Sequence, residues 1–335
     1  LVISAKTGIT LNGDGTGAPI SLSSDDGLEL TDNLSSSGGN VALNADADAD
    51  GTGLFRLASG RTITTGNGNL SVTAADVQLD GSVNAGTGVV SFGRANSGSI
   101  GLGTGFGDLN LSGDEIQRIR GARFEAGNAL TTFVNVGNVS AANLAGISTL
   151  VSLIGSDIDV FSPLNTGGAS LAIARGTAGT IGLGSASGDM TISSSELANI
   201  ATVDLTIGSG STGSITVNGV NVGTNLAGVS GLTTLSSTGT VIFASNASSF
   251  RSLVVNADNG VTVNTNLTTT SGDLSLSANA NNTVDGNDGI AIFANRTISS
   301  AGVLSLTGSG GITSVGAVTL DANSGVTINN DAAFE

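Results

Sequence analysis

Residues 100–116 read IGLGTGFGDLNLSGDEI, and residues 181–197 read IGLGSASGDMTISSSEL. Ile100-Gly101-Leu102-Gly103 returns as Ile181-Gly182-Leu183-Gly184, an offset of 181 − 100 = 81. Gly107-Asp108-Leu109 returns as Gly188-Asp189-Met190, and Glu115-Ile116 with Ile119 as Glu196-Leu197 with Ile200. Further out, Leu144-Ala145-Gly146-Ile147-Ser148 matches Leu226-Ala227-Gly228-Val229-Ser230 at 226 − 144 = 82. A match that keeps register between residues 100–150 and 181–232, slipping by one position, is a structural period. Such periods mark solenoids and arrays.

A second, looser repeat links the two ends of the chain. Residues 27–63 and 260–298 share Asn33-Leu34 with Asn266-Leu267, Asp50-Gly51 with Asp285-Gly286, and Arg61-Thr62-Ile63 with Arg296-Thr297-Ile298. Between these landmarks the chain is full of short apolar-polar-apolar triplets, such as Leu28-Glu29-Leu30, Val41-Ala42-Leu43, Leu274-Ser275-Leu276 and Val318-Thr319-Leu320. Alternation of period two is the signature of a strand with one buried face. Gly, Asn, Asp and Ser separate the triplets and supply turns. Strands this short cannot build a simple sandwich. They can build an all-β parallel β-helix, each strand bonded to its equivalent one coil above and below, about 4.8 Å away. At roughly 20 residues per coil the chain gives about 16 coils, stacking to a single rod of roughly 75 Å over residues 1–335, with the 81-residue unit equal to about four coils. No linker interrupts it, because the polar stretches at 46–53 and 279–289 are short enough to be loops bulging from coils.

Composition fits a narrow core. Gly is 52 of 335 residues and Pro only 2, while all the aromatics are Phe, 10 in number. A two-layer domain of this size fills the space between its layers with large aromatics, whereas a slender coil is filled by Val, Ile, Leu and Ala. The net charge of −16, from 26 acidic and 10 basic residues, repels phosphate and argues against nucleic acid and against anionic membranes. With no Cys and no His there is no disulfide, no thiolate chemistry and no imidazole base or ligand. No apolar run approaches the ~18 residues of a membrane span. The chain opens Leu-Val-Ile-Ser-Ala without Met, as expected of a mature product or an excised segment.

Three local patterns carry chemistry or structure. Ser112-x-x-Glu115 and Ser193-x-x-Glu196 are capping boxes, each predicting one helical turn at a coil corner. Asp46-Ala47-Asp48-Ala49-Asp50-Gly51 is D-x-D-x-D-G, the opening of a calcium loop whose alternate carboxylates can wrap a hard cation. The twelfth loop position is Leu57 and not a bidentate Glu, so this is not a complete EF-hand. The competing reading is a solvated acidic loop. In the other copy the carboxylates thin to Asn279, Asn281, Asp285 and Asp288. Arg118, Arg120 and Arg123 lie among Asp114, Glu115 and Glu125, which predicts a salt-bridged surface. A polysaccharide-cleaving β-helix needs clustered carboxylates and sugar-stacking aromatics. Here the acids are scattered and Trp and Tyr are absent, so no catalytic residue is nominated.

The wording of residues 68–83 (GNLSVTAADVQLDGSV), 272–279 (GDLSLSAN), 99–119 (SIGLGTGFGDLNLSGDEIQRI) and 182–219 (GLGSASGDMTISSSELANIATVDLTIGSGSTGSITVNG) resembles that of large bacterial exoproteins of the filamentous-haemagglutinin type. The resemblance implies a right-handed parallel β-helix within a long extracellular fibre at the bacterial cell surface, secreted through an outer-membrane partner. It transfers no ligand site. The expected function is that of a structural shaft segment of an adhesin or fibre, giving reach and presentation. Its partners would be adjoining repeats of the same chain, with a host or neighbouring-cell ligand elsewhere. The alternative is an extracellular filament subunit stacking end to end, since Leu1-Val2-Ile3 and Val326-Thr327-Ile328 read as strands and not as caps. A polysaccharide-active enzyme is the remote third reading.

Overall fold

A computed structural model describes residues 2–5, 9–11, 15–17, 19–284, 286–329 and 332–333. Leu1 of the expected first strand and Asp285 of the expected second loop lie outside them. The chain divides into two compact units, Leu1–Leu171 and Ala172–Glu335. Each is a parallel β-solenoid.

In the first unit one face is a ladder of Val2–Ala5, Ile20–Ser24, Val41–Asn44, Leu70–Thr73, Val89–Gly93, Ile119–Gly127 and Ile147–Gly155, each strand parallel to the next. Register partners on this ladder form continuous apolar rows. Leu22, Leu43, Val72, Phe92, Ala126 and Leu153 make one row, and Ile20, Val41, Leu70, Val90, Phe124 and Val151 the other. All twelve are buried. The period-two alternation puts these side chains inward and their Ser, Ala and Glu neighbours outward. Phe92 and Phe124 touch across adjacent rungs, ring centroids 6.2 Å apart. Phe therefore does enter the core: Phe55, Phe92, Phe124, Phe243 and Phe250 are fully buried.

A second face stacks Ile9–Leu11, Leu28–Leu30, Leu54–Leu57 and Asp76–Leu79, and a third Gly15–Gly17, Leu34–Ser36, Thr62–Thr64 and Ser82–Asn84. Plain coils keep the expected length: Ser71 and Ser91 are rung partners 20 residues apart. Decorated coils are longer, 34 residues from Ser91 to Glu125 and 27 from Glu125 to Ser152. The 81-residue unit accordingly accommodates two long coils and one plain one, not four equal ones.

The longest coil departs from the one-strand-per-face pattern. Gly98–Gly103 and Leu109–Leu111 pair parallel with each other, Ile100 opposite Leu109 and Leu102 opposite Leu111. One coil therefore gives this face two rungs. Parallel neighbours ordinarily need a connection of a dozen or more residues. Here residues 104–108 suffice because the return path lies flat on the outer side of the strand. A Cβ on Gly101 would sit 2.5 Å from the Gly105 carbonyl oxygen and 2.8 Å from the Gly107 nitrogen, distances only glycine tolerates. Asp108 closes the turn by accepting from the Ser99 N–H at 2.8 Å and the Ser99 hydroxyl at 2.9 Å.

The chain then enters the helical turn α1, Gly113–Gln117, with both arms of the Ser112/Glu115 capping box formed. Ile116 and Ile119 point inward as expected. The neighbouring arginines correct the salt-bridge expectation. Arg118 donates to the Leu79 carbonyl at 3.0 Å and Glu115 accepts from the Leu79 N–H at 2.9 Å, so the corner is tied to the strand beneath it. Of the acid–arginine pairs expected around it, only Arg123–Glu125 is an ion pair among the described residues, at 2.7 Å.

The second unit follows the same plan. One ladder runs through Leu205–Gly208, Leu232–Ser237, Ser252–Ala257, Leu274–Ser277, Leu304–Thr307 and Val326–Asn329. A second includes Thr212–Asn218, Val241–Phe243, Val261–Val263, Ile290–Phe293 and Ile312–Val315. The third joins Ser248–Phe250, Leu267–Thr269, Arg296–Ser300 and Val318–Ala322. The doubled rung recurs as Gly179–Gly184 beside Met190–Ser193, Ile181 opposite Met190. It is followed by α2, Ser194–Ala198, again with a complete capping box.

Asn and Asp at the corners do more than turn the chain. Asn33, Asn40 and Asn69 accept from the backbone N–H of Thr62, Asn69 and Val89, one coil on. In the second unit Asp204, Asn266 and Asp273 accept likewise from Leu232, Thr297 and Val303. A short side-chain carbonyl at a corner thus satisfies a strand-entry donor that the ladder leaves over. Asn33 and Asn266, aligned by the looser sequence repeat, perform the same task.

Candidate functional site

The acidic loop follows the strand Val41–Asn44 and is pinned at both ends. Ala45 N–H donates to Thr73 and Ala47 N–H to Ser24, while the Gly53 carbonyl accepts from Ala75. Between them the backbone turns through positive φ at Ala49 (58°), Gly51 (88°) and Gly53 (94°). At Gly53 a Cβ would lie 2.0 Å from the Ala45 carbonyl oxygen, so the loop shuts on itself only because that position has no side chain.

This closure gathers the three carboxylates. One oxygen from each of Asp46, Asp48 and Asp50 lies within 4.8 Å of the other two. Their environments differ. Asp46 is fully buried, whereas Asp48 and Asp50 are exposed. Asp46 Oδ1 accepts from the Gly51 N–H at 3.4 Å, and its Oδ2 is buried with no hydrogen-bond partner. Burial raises the Asp46 pKa above the ordinary carboxylate value, the Gly51 N–H opposes this, and the charges of Asp50 and Asp48 add to the rise. The Asp50 carboxyl is held low by the hydroxyl and N–H of Thr52, at 2.7 and 2.8 Å.

Arg94 comes close from two coils on, and the sequence reading overlooked it. It is 6% exposed. Nη1 donates to the Ala75 carbonyl and Nη2 to Asn96 Oδ1, and a Cβ on Gly51 would be 3.8 Å from Nη2. No ion pair joins Arg94 to Asp46 among the described residues. Its charge acts instead on Asp108, whose pKa is lowered first by the Ser99 hydrogen bonds and then by Arg94. Arg175, 81 residues on, acts in the same direction on Asp189, after the Thr180 hydrogen bonds. That offset was the signal for both arginines, since the repeat extends upstream of residue 100.

The second loop is built differently. The side-chain oxygens of Asn279 and Asn281 both accept from the Thr283 N–H, and Asn279 Nδ2 donates to the Ser309 hydroxyl at 2.6 Å. Asp288 is buried, with its Oδ2 3.4 Å from the Ser309 hydroxyl. The structure therefore brings Asp46, Asp48 and Asp50 together and turns the asparagines of the other copy toward their own chain.

Among the described residues no helix is long and apolar enough to cross a membrane. Comparison with family models, with curated proteins and with solved structures returned no match for this chain.

Proposed function

We propose that the chain is a structural shaft segment of a bacterial cell-surface adhesin or fibre, with reach and presentation as its work. The observation that carries this reading is the unbroken side-chain row. In each unit, buried apolar residues stack rung on rung along the first ladder, and corner Asn and Asp groups bond each coil to the next. Interactions between neighbouring coils accumulate along a solenoid, which suits a support more than a reaction centre. The resemblance of residues 99–119 and 182–219 to haemagglutinin-type exoproteins points the same way and places the segment outside the cell, with adjoining repeats as its immediate partners.

Immunogold electron microscopy on intact producing cells, with antibody raised against this chain, tests the proposal. Gold on surface fibres is the expected result; gold confined to the cell interior overturns it. Fibres that grow from the purified chain as its concentration rises would replace the shaft by a self-assembling subunit.

A further inference from the structure

We infer that the 45–53 loop is a binding site for one hard divalent cation, calcium. Three carboxylate oxygens converge within 4.8 Å. One of the contributing groups, Asp46, is completely buried, and its Oδ2 has no hydrogen-bond partner. A buried carboxylate without a partner is costly and is relieved by a proton, an ion pair or a metal. Arg94 does not serve, because both of its terminal nitrogens are engaged by Ala75 and Asn96. Asp48 and Asp50 add negative charge at the same point, which disfavours an ionised Asp46 standing alone and favours a cation shared by all three.

The donor set selects the ion. It is oxygen only, and a chain with neither His nor Cys has no ligand that prefers a softer metal. Calcium accepts six to eight oxygens in irregular arrangements, filling its remaining positions with carbonyls and water, whereas magnesium demands a near-ideal octahedron. The bound ion would neutralise the loop and tie its exposed half, Asp48 to Asp50, to the buried Asp46 at the coil. The 279–289 loop lacks the convergence, because its asparagine oxygens are spent on Thr283. This inference is independent of the shaft proposal.

The test is calorimetric titration of calcium chloride into the chelator-treated full chain, repeated with magnesium chloride and with Asp48→Asn and Asp48→Asn/Asp50→Asn variants. The expected result is one saturable calcium site with a dissociation constant of about 10⁻⁴–10⁻³ M, as in extracellular calcium modules. The melting temperature should rise in calcium but not in sodium chloride of equal ionic strength. Asp48 is exposed, so Asp48→Asn should leave the melting temperature in chelator unchanged while weakening calcium binding roughly tenfold or more. No saturable heat at millimolar calcium overturns the inference. So does binding that survives undiminished in the double variant, which would mark diffuse attraction to an acidic surface.

Discussion

Residues 98–137 and 179–218 are two editions of one device, and they differ almost entirely on the outside. Both double a rung over nine residues. Both fold the return path over a glycine, Gly101 or Gly182. Both close it with an aspartate, Asp108 on Ser99 and Asp189 on Thr180. The surfaces then part. The first edition exposes Phe106, Leu130 and Phe133, where the second, 81 positions on, has Ser187, Ser211 and Ser214. What both editions keep is what the backbone path requires, and what varies lies where nothing packs.

Substitution at the crossing glycine should break the comparison hardest. A valine at Gly101 drives its Cβ into the backbone of Gly105 and Gly107, and neither can move without unpairing the doubled rung. Gly101→Val should cost about 3 kcal/mol or more in urea unfolding, with Gly182→Val behaving alike. Gly210, where an added Cβ meets nothing within 4 Å, is the control, and Gly210→Ala should change stability by under about 0.5 kcal/mol. An unchanged midpoint for Gly101→Val would remove the steric account of the short connection.

Removing the closing carboxylate should have a smaller, pH-dependent effect. Asp108 titrates below its unfolded value because the Ser99 N–H and hydroxyl, and then Arg94, favour its charged form. Its contribution is therefore present above the unfolded pKa of about 3.9 and fades as pH falls through the folded value. Asp108→Asn should destabilise the protein by about 1 kcal/mol at neutral pH, a figure discounted for exposure. The gap between wild type and variant should shrink as pH falls below about 4. Urea midpoints at neutral and acid pH decide it; a gap that widens in acid would contradict the charge argument. Asp189→Asn should shift the same way.

The least effect belongs to the surface. Phe106 is 82% exposed, so Phe106→Ser, which copies the second edition, should move stability by less than about 0.5 kcal/mol. A larger loss in thermal unfolding would show that this ring packs after all and that the two surfaces are not interchangeable.

The solenoid was written locally. Val41-Ala42-Leu43 and Leu274-Ser275-Leu276 declare a strand and its buried face in three residues, and Ser112-x-x-Glu115 declares a helix start in four, because alternation and capping act between near neighbours. The offset of 81 exposed the repeat without any structure. Three features needed the tertiary fold. The stacking of Leu109 on Ile100 within one coil depends on how close two backbones can pass at Gly101, and no propensity encodes that distance. The burial of Asp46 depends on a loop that shuts at Gly53, so three aspartates that look equivalent in sequence become one buried and two exposed. The placement of Arg94, between the Ala75 carbonyl and Asn96 with its charge acting on Asp108, joins elements separated along the chain and brought together only by coil stacking. Sequence fixes what neighbours a few residues apart can do; the stack decides which coils, one or two turns away, they meet.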